Sequence, residues 1–475
     1  KRQSRTLAGR AVWRFSAAGA VRCDRHPGGV TDLCVDADEV NRVVDAADAA
    51  GVRLTRVIWC GNDGTVRAKA IATEALRARM AGGVGLTRAQ QAQDSRDRLA
   101  PVPGMGPVGE MRLVPDPATF RVLPYAPRTA AMLADMVGLD GTPEPACPRG
   151  FLRRMIARSA GHGLHAVAGF ESEFSLWHGD GTPLDRSPCF STSGALAAQS
   201  VMDAILTALD AQGIAFEGCH AEGGWGQQEI AFAPVPAMRA ADEQVLVRET
   251  LRGVAATHGL TASVAPKPLP RTAGNGLHIH VSFQDAAGRN ALAAPRSPGG
   301  LSPTALHAIG GLLAHLPALC ALTAPSEGSY RRLVPRAWAG AWRCWGYDNR
   351  EAAVRACSPL AGREVESVNI ELKPSDASAS PHMALGAVIA AAVDGIVRTT
   401  APPAPVAVDP AVLSDAERAE IGVEPVPRTA TEALDALEAD DVLLDALGEE
   451  LAHSFIAVRR AELQADGDGD AALRY

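Results

Sequence analysis

Apolar and polar positions in the first quarter of the chain follow two different periods. Residues 31–52 place apolar side chains every three or four positions, which predicts one amphipathic helix. Residues 54–72 contain two β-like runs on either side of an Asn-Asp-Gly turn at 62–64, which predicts a β-hairpin. Two more β-like runs, at 111–114 and 119–123, complete a small predicted domain of one sheet and one helix.

The remainder of the chain alternates helical and strand-like patterns. A helix is predicted from Pro148 onward, and an apolar stripe predicts helical structure over residues 429–465. This mixture indicates the α+β class, with an N-terminal domain over residues 31–130 and a larger domain over residues 131–475. Residues 1–30 are rich in arginine and have no long apolar stretch, so we expect a flexible leader there.

Composition and charge narrow the class of protein. Of the 475 residues, 47% are hydrophobic and 21% are charged, which is typical of a globular protein. The net charge of −8 disfavours a nucleic-acid or anionic-membrane surface. The longest apolar run, at 383–393, has about half of the ~20 residues that a bilayer needs. Nine cysteines without a Cys-x-x-Cys pair indicate reduced thiols. We expect a cytoplasmic protein with small-molecule partners, no nucleic acid and no membrane.

Two glutamates near the start of the larger domain are the first candidates for chemistry. Glu171 and Glu173 lie two positions apart in a strand-like run, so their side chains share one face of the strand. Two carboxylates this close repel each other unless a cation lies between them. An exposed strand edge with two solvated glutamates explains the pair at least as well when it is taken alone.

Two further segments carry groups of the same kind. His278, His280 and Ser282 alternate with apolar residues and share one strand face, where an imidazole can bind a metal or a phosphate. Three glycines lie between Glu222 and Glu229, which suits a tight connection that brings both carboxylates to one site. The polar face of an edge strand and a flexible surface turn are the alternative interpretations.

The last two candidates lie in the final third of the chain. Glu371 and Lys373 share a strand face, and alone they would be an ordinary surface pair of opposite charge. Residues 331–355 are dense in arginine, whose planar fork matches phosphate and carboxylate groups. Aromatic residues interleave with these arginines, which favours a partly enclosed site over a solvated charged face. The arginines are Arg331, Arg332, Arg336, Arg343, Arg350 and Arg355.

Taken together, these segments predict a metal site beside an anion-binding wall. Carboxylate ligands with a histidine suit Mg²⁺ or Mn²⁺ better than a structural Zn²⁺. Divalent ions bridge phosphate oxygens and arginines neutralise charge in the transition state of phosphoryl transfer, so the pattern favours an enzyme that uses a nucleotide. The sequence contains no GxxxxGK[ST] motif, which excludes a P-loop enzyme.

The order of these motifs resembles that of the glutamine synthetase family, of the long bacterial type, over roughly residues 31–465. The segments that carry the resemblance are ESEF at 171–174, EGGWGQQEI at 222–230, GNGLHIHVS at 274–282, SYRRLVP at 329–335, NREAAVR at 349–355 and NIELKPSDASASPH at 369–382. The resemblance implies a β-grasp-like N-terminal domain and a catalytic domain whose curved antiparallel sheet forms a funnel for ATP and the acid substrate. It also implies two or three Mg²⁺ or Mn²⁺ ions per site and self-association into rings, usually a dodecamer.

The resemblance also implies a role for each candidate residue. One metal would be held by Glu173, Glu222 and Glu229. The other would be held by Glu171, His278 and Glu371. The nucleotide or phosphate contacts would be His220, His280, Ser282, Arg350 and Arg355. The substrate-binding residues would be Gly274, Arg332, Trp338 and Lys373, with Arg332 gripping the carboxylate. The catalytic arginines would be Arg332, Arg350 and Arg355.

Several positions depart from the family pattern, and Trp338 is one of them. The related enzymes have a glutamate six residues after the substrate arginine, where it attracts ammonium and takes its proton, and here that position is Trp338. An indole cannot act as a general base, but it can offer an apolar wall or a cation–π face to a larger amine. The stretch WAGAWRCWGYDNREAAVR, with Lys373 in place of an arginine, resembles the family branch that includes nodulin- and FluG-type proteins and γ-glutamyl-amine ligases.

We therefore expect an ATP-dependent ligase that joins glutamate, through a γ-glutamyl phosphate, to an amine other than ammonia. One alternative is an authentic glutamine synthetase. A second is a ligase for a different carboxylic acid, indicated by Ala273 where the family has asparagine and by Lys373 where it has arginine. A third is a non-catalytic structural or regulatory relative, against which the retention of all six metal-binding positions argues, because unused acidic clusters repel.

Overall fold

The computed structural model describes residues 36–464 and two short strands that precede them. These strands, β1 (Arg14–Phe15) and β2 (Val21–Arg22), pair in an antiparallel ladder. The flexible leader expected over residues 1–30 otherwise lies outside the described residues. Within the described part, the chain forms two larger sheets that are covered by helices.

The first sheet is built from the N-terminal domain. Its strands are β3 (Leu54–Cys60), β4 (Val66–Ala72), β5 (Val84–Thr87), β6 (Glu110–Pro115), β7 (Arg121–Val122) and β8 (Thr129–Gly138). They lie in the order β4-β3-β8-β6-β5, with β7 beside β8. The predicted hairpin is confirmed as β3 and β4, with Cys60 opposite Val66 next to the turn.

Two helices cover this sheet, α1 (Ala37–Ala49) and α2 (Leu76–Gly82). The Asp36 side chain caps α1 by accepting a hydrogen bond from the Asp38 N–H. Val40, Val43 and Ala47, at helical spacing, are buried in one core with the sheet. The amphipathic helix predicted within residues 31–52 is confirmed for its described part, which begins at residue 36.

Strand β8 continues the N-terminal sheet past the division expected at residue 130. It pairs in parallel with β3 over residues 129–133 and antiparallel with β6 over residues 134–138. A division at residue 130 would therefore cut hydrogen-bonded strands, and the sheet puts it after Gly138. Eight of the ten residues of β8 are buried in succession, so the segment lacks the alternation by which a strand is recognised in a sequence.

The second sheet carries the larger domain. Its strands are β9 (His165–His178), β10 (Phe216–Ala221), β11 (Gln227–Phe232), β12 (Val235–Pro236), β13 (Leu260–Ser263), β14 (Leu277–Gln284), β15 (Trp342–Tyr347), β16 (Ala352–Ala356), β17 (Ile370–Leu372) and β18 (Glu424–Pro425). The main path runs β10-β11-β9-β14-β17-β16-β15-β18, and only β15 and β16 are parallel among these described pairs. The sheet curls into a half-barrel, which confirms the α+β class and the curved, mainly antiparallel sheet.

Helices pack around this sheet and form the C-terminal part. They are α3 (Pro148–Gly161), α4 (Thr192–Ala211), α5 (Ala237–Thr257), α6 (Pro303–Thr323), α7 (Glu327–Arg332), α8 (Pro381–Arg398), α9 (Asp415–Glu420), α10 (Ala430–Glu438), α11 (Asp441–Leu447) and α12 (Glu449–Gln464). The helical structure predicted over residues 429–465 is confirmed as α10, α11 and α12.

Helices α6 and α8 form the centre of the core. A Cβ at Gly311 would lie 2.2 Å from the Ala391 carbonyl oxygen, and one at Gly395 would lie 2.3 Å from that of His307. Glycine is therefore needed for the two backbones to approach this closely. Both helices are long and apolar enough to cross a membrane by length and composition, but most of each is buried inside the protein, as in the core helices of many folds.

A buried arginine joins the N-terminal sheet to the helices of the larger domain. Arg149, near the start of α3, forms ion pairs with Asp135 of β8 at 2.7 Å, with Asp116 at 2.6 Å and with Asp242 of α5 at 2.9 Å. Burial acts to raise the pKa of Asp242, but the neighbouring guanidinium lowers it below its ordinary value. Removing one member of such a buried group leaves uncompensated charge, so this network ties the N-terminal domain to helices α3 and α5 of the larger domain.

Candidate active site

The registers of six neighbouring strands, β10, β11, β9, β14, β17 and β16, bring the candidate residues to one face of the second sheet. Residues directly opposite each other in a ladder project to the same side, so the pairing predicts which side chains meet. The directly opposed pairs are His220 and Glu229, Glu229 and Glu173, Glu171 and His278, His280 and Glu371, and Glu371 and Arg355. The strand-borne pairs recognised in the sequence therefore share one face.

One group of ligand atoms lies at the β10–β11 end of this face. His220 Nε2 is 3.0 Å from Glu222 Oε1 and 3.7 Å from Glu229 Oε1, and all three residues can place ligand atoms within 4.8 Å of one another. The sequence assigned Glu173, rather than His220, as the third member of this group. Glu173 lies opposite Glu229, and its Oε2 accepts hydrogen bonds from the Gln227 side chain at 2.9 Å and the Gly276 N–H at 2.8 Å.

A second group lies where β9, β14 and β17 meet. Glu171, His280 and Glu371 can place ligand atoms within 4.8 Å of one another. The predicted histidine of this group, His278, lies next to it: its Nδ1 is 3.2 Å from Glu171 Oε2 and 3.5 Å from Glu371 Oε1. Its Nε2 is 3.7 Å from Glu173 Oε1. His278 therefore contacts carboxylates of both predicted metal groups.

The electrostatics of these carboxylates fit a cation site. Burial, followed by the charges of Glu171 and Glu173, raises the pKa of Glu229 to about 8. Burial also acts to raise the pKa of Glu371, but Lys373, the two histidines and Arg355 lower it to about 2. A divalent cation would relieve the repulsion at Glu229, so the donor set of carboxylates and imidazoles suits Mg²⁺ or Mn²⁺.

Arg332 has the geometry of a carboxylate-binding residue. It is the last residue of α7, its side chain is 3% exposed, and its Nη2 lies 3.0 Å from His278 Nε2. Its Nη1 is buried and has no hydrogen-bond partner among the described residues. A Cβ at Gly274 would lie 2.2 Å from the Pro266 carbonyl oxygen and 3.1 Å from Arg332 Cγ, so glycine is needed beside the arginine. The free donor suits an anionic substrate group.

A cavity of about 260 Å³ opens beside the second group of ligand atoms. His280, Ser282 and Arg355, three of the residues predicted to contact the nucleotide, contribute to its wall together with Phe232 and Cys357. The other two predicted contacts lie elsewhere: His220 is in the first group of ligand atoms, and Arg350 is exposed in the connection between β15 and β16.

The two remaining predicted substrate-binding residues differ in burial, since Lys373 is buried and Trp338 is exposed. Lys373 is 3% exposed, and its Nζ lies 3.1 Å from Glu371 Oε1, so it pairs with a candidate metal ligand. Trp338 is 53% exposed and lies in the loop that follows α7. Of the residues that the sequence did not single out, Gln227 orients Glu173, and Asn369 lies 2.8 Å from His280 Nδ1. Both stand inside recognised motifs, which was the available signal.

Comparison with known proteins identifies the class to which this fold and site belong. Residues 39–144 match the glutamine synthetase N-terminal domain, and residues 145–467 match the glutamine synthetase catalytic domain. The chain belongs to the glutamine synthetase family and is an ATP-dependent ligase. The two matches meet after the end of β8, in agreement with the extent of the N-terminal sheet.

Several relatives are similar over most of the chain. A γ-glutamylpolyamine synthetase, GlnA3, of Streptomyces coelicolor is 37% identical over 434 residues, covering 89% of this chain and 93% of that protein. A glutamine synthetase of Halobacterium salinarum is 35% identical, covering 74% of this chain and 79% of the relative. The crystal structure of a novel glutamine synthase homolog is 34% identical, with a TM-score of 0.79, and a GmaS/ADP complex is 29% identical, also at 0.79. These matches cover 89% of this chain and 96% and 95% of the two solved chains.

Proposed function

We propose that this enzyme joins glutamate to a primary amine other than ammonia and forms a γ-glutamyl amide through a γ-glutamyl phosphate. The observation that supports the proposal is Trp338, which lies six residues after Arg332 in a sequence that retains all six predicted metal-binding residues. The related enzymes use a glutamate there to attract ammonium. An indole supplies neither that charge nor a base, but its face suits an alkyl or cationic amine. We also propose that the enzyme works in the cytoplasm as a ring-shaped homo-oligomer, a dodecamer by analogy with its family.

We propose that two or three Mg²⁺ or Mn²⁺ ions bind at the two groups of ligand atoms. The raised pKa of Glu229 supports this, because a carboxylate held so close to Glu171 and Glu173 is stabilised as an anion by a bound cation. The protein ligands would be Glu171, Glu173, Glu222, Glu229, His278 and Glu371, with His220 and His280 within reach. When bound there, such ions would neutralise negative charge on the phosphoryl group during its transfer.

The side chains of the protein position the two substrates. Arg332 binds the glutamate carboxylate through its unpaired Nη1, and His278 orients the guanidinium from its other side. His280, Ser282 and Arg355 contact the nucleotide in the cavity beside Glu371, where Arg355 neutralises charge on the phosphoryl group. Attack by the amine nitrogen on the γ-carbonyl carbon releases phosphate and forms the amide.

Different relatives support the activation of glutamate and the use of an amine as the acceptor. The glutamine synthetases at 33–35% identity support ATP-dependent activation of glutamate. The Streptomyces relative, more similar and over more of its length, is a γ-glutamylpolyamine synthetase, which supports an amine as the acceptor. A polyamine is therefore the first acceptor class to examine.

A phosphate-release assay tests the proposal. Purified protein is supplied with ATP, glutamate, Mg²⁺ or Mn²⁺, and in turn ammonium, methylamine, ethanolamine, 1,4-diaminobutane, spermidine or aniline. We expect at least one amine to exceed ammonium in kcat/KM by about tenfold or more, the equivalent of one favourable cation–π or apolar contact. Ammonium turnover equal to or above that of every amine would overturn the proposal in favour of an authentic glutamine synthetase.

The variant Trp338→Glu tests whether Trp338 determines which acceptor is used. It restores the family carboxylate, so the kcat/KM ratio of ammonium to the best amine should rise. Val397→Glu is the matched control, because Val397 is exposed to the same degree as Trp338, 54% against 53%, and lies at the end of α8. The control should leave that ratio unchanged. An unchanged ratio in Trp338→Glu as well would remove Trp338 from acceptor selection.

A further inference from the structure

The loop that carries Trp338 is held by one buried carboxylate. We call residues 333–341, between α7 and β15, the acceptor loop. Glu351 Oε1 accepts a hydrogen bond from the Trp338 N–H at 2.8 Å, and its Oε2 accepts one from the Arg336 N–H at 2.9 Å. Both oxygens of this side chain are therefore used by the backbone of the acceptor loop.

The conformation of the acceptor loop needs such support. Arg336 and Trp338 have φ values of 62° and 53°, in the left-handed region that side-chain-bearing residues rarely adopt, and Gly340 follows at 76°. The side chains of Arg336 and Trp338 are exposed, so core packing does not hold them. Two strained residues in one short loop persist only when surrounding contacts impose their conformation.

Glu351 itself is rigidly placed. It immediately precedes β16, and its N–H donates to Asn349 Oδ1 at 3.1 Å. The Asn349 side chain is tied in turn to the carbonyl oxygens of Val406 and Val408. Glu351 is 6% exposed and forms no ion pair within the described part of the chain. A buried carboxylate without a cation is costly unless both oxygens are hydrogen-bonded, and here the acceptor loop supplies both donors.

The acceptor loop also touches the catalytic groups. Gly340 lies so close to Lys373 that an added Cβ would be 2.7 Å from the Lys373 Cβ. Lys373 Nζ lies 3.1 Å from Glu371 Oε1. One end of the acceptor loop is thus fixed on the candidate metal and phosphate region, and its middle is fixed by Glu351. Trp338 is itself held by Glu351, two residues before the close approach of Gly340 to Lys373.

We propose that Glu351 is the positioning residue that sets acceptor selection, because it holds the Trp338 backbone at the amine entrance. This inference rests on the proposed function for the identity of the acceptor, but the contact between Glu351 and the acceptor loop is independent of it. Substrate ATP and glutamate bind at His280, Arg355 and Arg332, which Glu351 does not contact among the described residues. Loss of Glu351 should therefore affect the amine far more than the other two substrates.

Hydrogen–deuterium exchange measures the contact directly and needs no amine. The variant Glu351→Gln keeps size and shape but replaces one acceptor oxygen by an NH₂ group that faces an N–H. Peptides that span residues 333–341 should exchange about tenfold faster or more in this variant, since a hydrogen bond to a charged group is lost. Glu144→Gln is the matched control, because Glu144 is also 6% exposed and pairs with Arg88, away from the acceptor loop.

Steady-state kinetics then tests the role in selection. In Glu351→Gln we expect the KM for the best amine of the panel to rise about tenfold or more, with less than about twofold change in the KM values of ATP and glutamate. Glu351→Asp retains two acceptor oxygens on a shorter side chain and should recover part of the amine KM. Glu144→Gln should change melting temperature without changing the ratio of these KM values.

The outcomes separate this inference from the proposed function. Unchanged exchange in residues 333–341 of Glu351→Gln would overturn the positioning role, whatever the acceptor is. Faster exchange with equal increases in all three KM values would overturn the role in selection. If the wild-type protein prefers ammonium, the proposed function fails, and the role of Glu351 in amine selection fails with it, while faster exchange would still establish that it holds the acceptor loop.

Discussion

The two sides of the active site are built in different ways. The proposed metal and phosphate side stands on paired strands, where register places Glu229 opposite Glu173 and Glu371 opposite Arg355. The proposed acceptor side is a nine-residue loop in which residues 334–338 are exposed and two non-glycine residues have a left-handed backbone, and one buried carboxylate holds it. Strands β9, β11, β16 and β17 each pair with a neighbouring strand on both sides, whereas the Trp338 backbone is held by the Glu351 side chain.

The difference suggests how one fold serves several acceptors. A change in a strand-borne ligand disturbs charges that balance one another across the sheet, as the opposite pKa shifts of Glu229 and Glu371 show. A change in the acceptor loop alters which amine can reach the γ-glutamyl phosphate, and it leaves the charges of the strand-borne ligands unchanged. Substrate variation is therefore expected to concentrate in the loop, in agreement with the general tendency of loops to carry specificity.

Glu229→Gln should have the largest effect on activity. It removes a candidate metal ligand, so we expect kcat to fall at least about 100-fold, more than the loss of an outer partner of a metal ligand typically costs. The same change should raise the melting temperature of metal-free protein at pH 8, because repulsion from Glu171 and Glu173 is relieved. Phosphate release and thermal melts with and without Mn²⁺ measure both effects, with Glu249→Gln on α5 as the control.

The pH dependence of metal-free stability follows from the same residue. The folded-state pKa of Glu229, about 8, lies above its ordinary value of 4.5. The stability that this carboxyl contributes is thus fully present below pH 4.5 and is lost as pH rises through about 8. Melting temperature without metal should fall over this window in the wild type and fall less in Glu229→Gln. Identical slopes would contradict a buried, repelled carboxyl at this position.

Arg332→Lys should have the next largest effect. Lysine keeps the charge but loses the planar fork, so kcat/KM for glutamate should fall about 10- to 30-fold, which corresponds to about 1.5–2 kcal/mol for one hydrogen bond to a charged group. Arg331→Lys is the control, since this neighbouring arginine is exposed. Equal losses in both variants would indicate a general effect on α7 instead of substrate binding.

Gly274→Ala should disturb the same site through its backbone. The new methyl group would meet the Pro266 carbonyl oxygen at 2.2 Å, so the segment must shift beside Arg332. We expect a stability loss of about 1–3 kcal/mol and a raised KM for glutamate. Gly161→Ala has open space within 4 Å and should leave the melting temperature nearly unchanged. A neutral Gly274→Ala would contradict the tight contact with Arg332.

Trp338→Ala should have the smallest effect on the fold. The side chain is 53% exposed, so its removal should change the free energy of unfolding by no more than about 0.5 kcal/mol. Trp59→Ala, at a 6% exposed position in the N-terminal core, should instead cost about 3–5 kcal/mol. Thermal melts compare the two. A large loss in Trp338→Ala would mean that the acceptor loop supports the fold and is not free to vary.

The sequence allowed most of the strand-borne side of the site to be predicted. Residues two apart on a strand share a face, so Glu171 with Glu173 and His278 with His280 could be placed together before their contacts were known. The same rule cannot decide which of two histidines on one face lies nearer a given carboxylate. The structure groups His280 with Glu371 and puts His278 between the two clusters.

Other features depend on contacts that are distant in the sequence. The parallel pairing of β8 with β3 is one, because neither segment carries a local signal of the other. The conformation of the acceptor loop is another, because arginine and tryptophan do not predict a left-handed backbone. The role of Glu351 can be recognised only from its two hydrogen bonds to the loop. The periodicity of apolar residues predicts the strands, but it does not predict the conformation of the acceptor loop.

A competition experiment tests the central claim most directly. Wild-type enzyme receives ATP, glutamate and Mg²⁺ with equal concentrations of ¹⁵N-ammonium, spermidine and 1,4-diaminobutane, and the products are separated by mass spectrometry. We expect γ-glutamyl amides of an amine to outweigh ¹⁵N-glutamine, and Trp338→Glu to shift the products toward glutamine. ¹⁵N-glutamine as the main product of the wild type would contradict it.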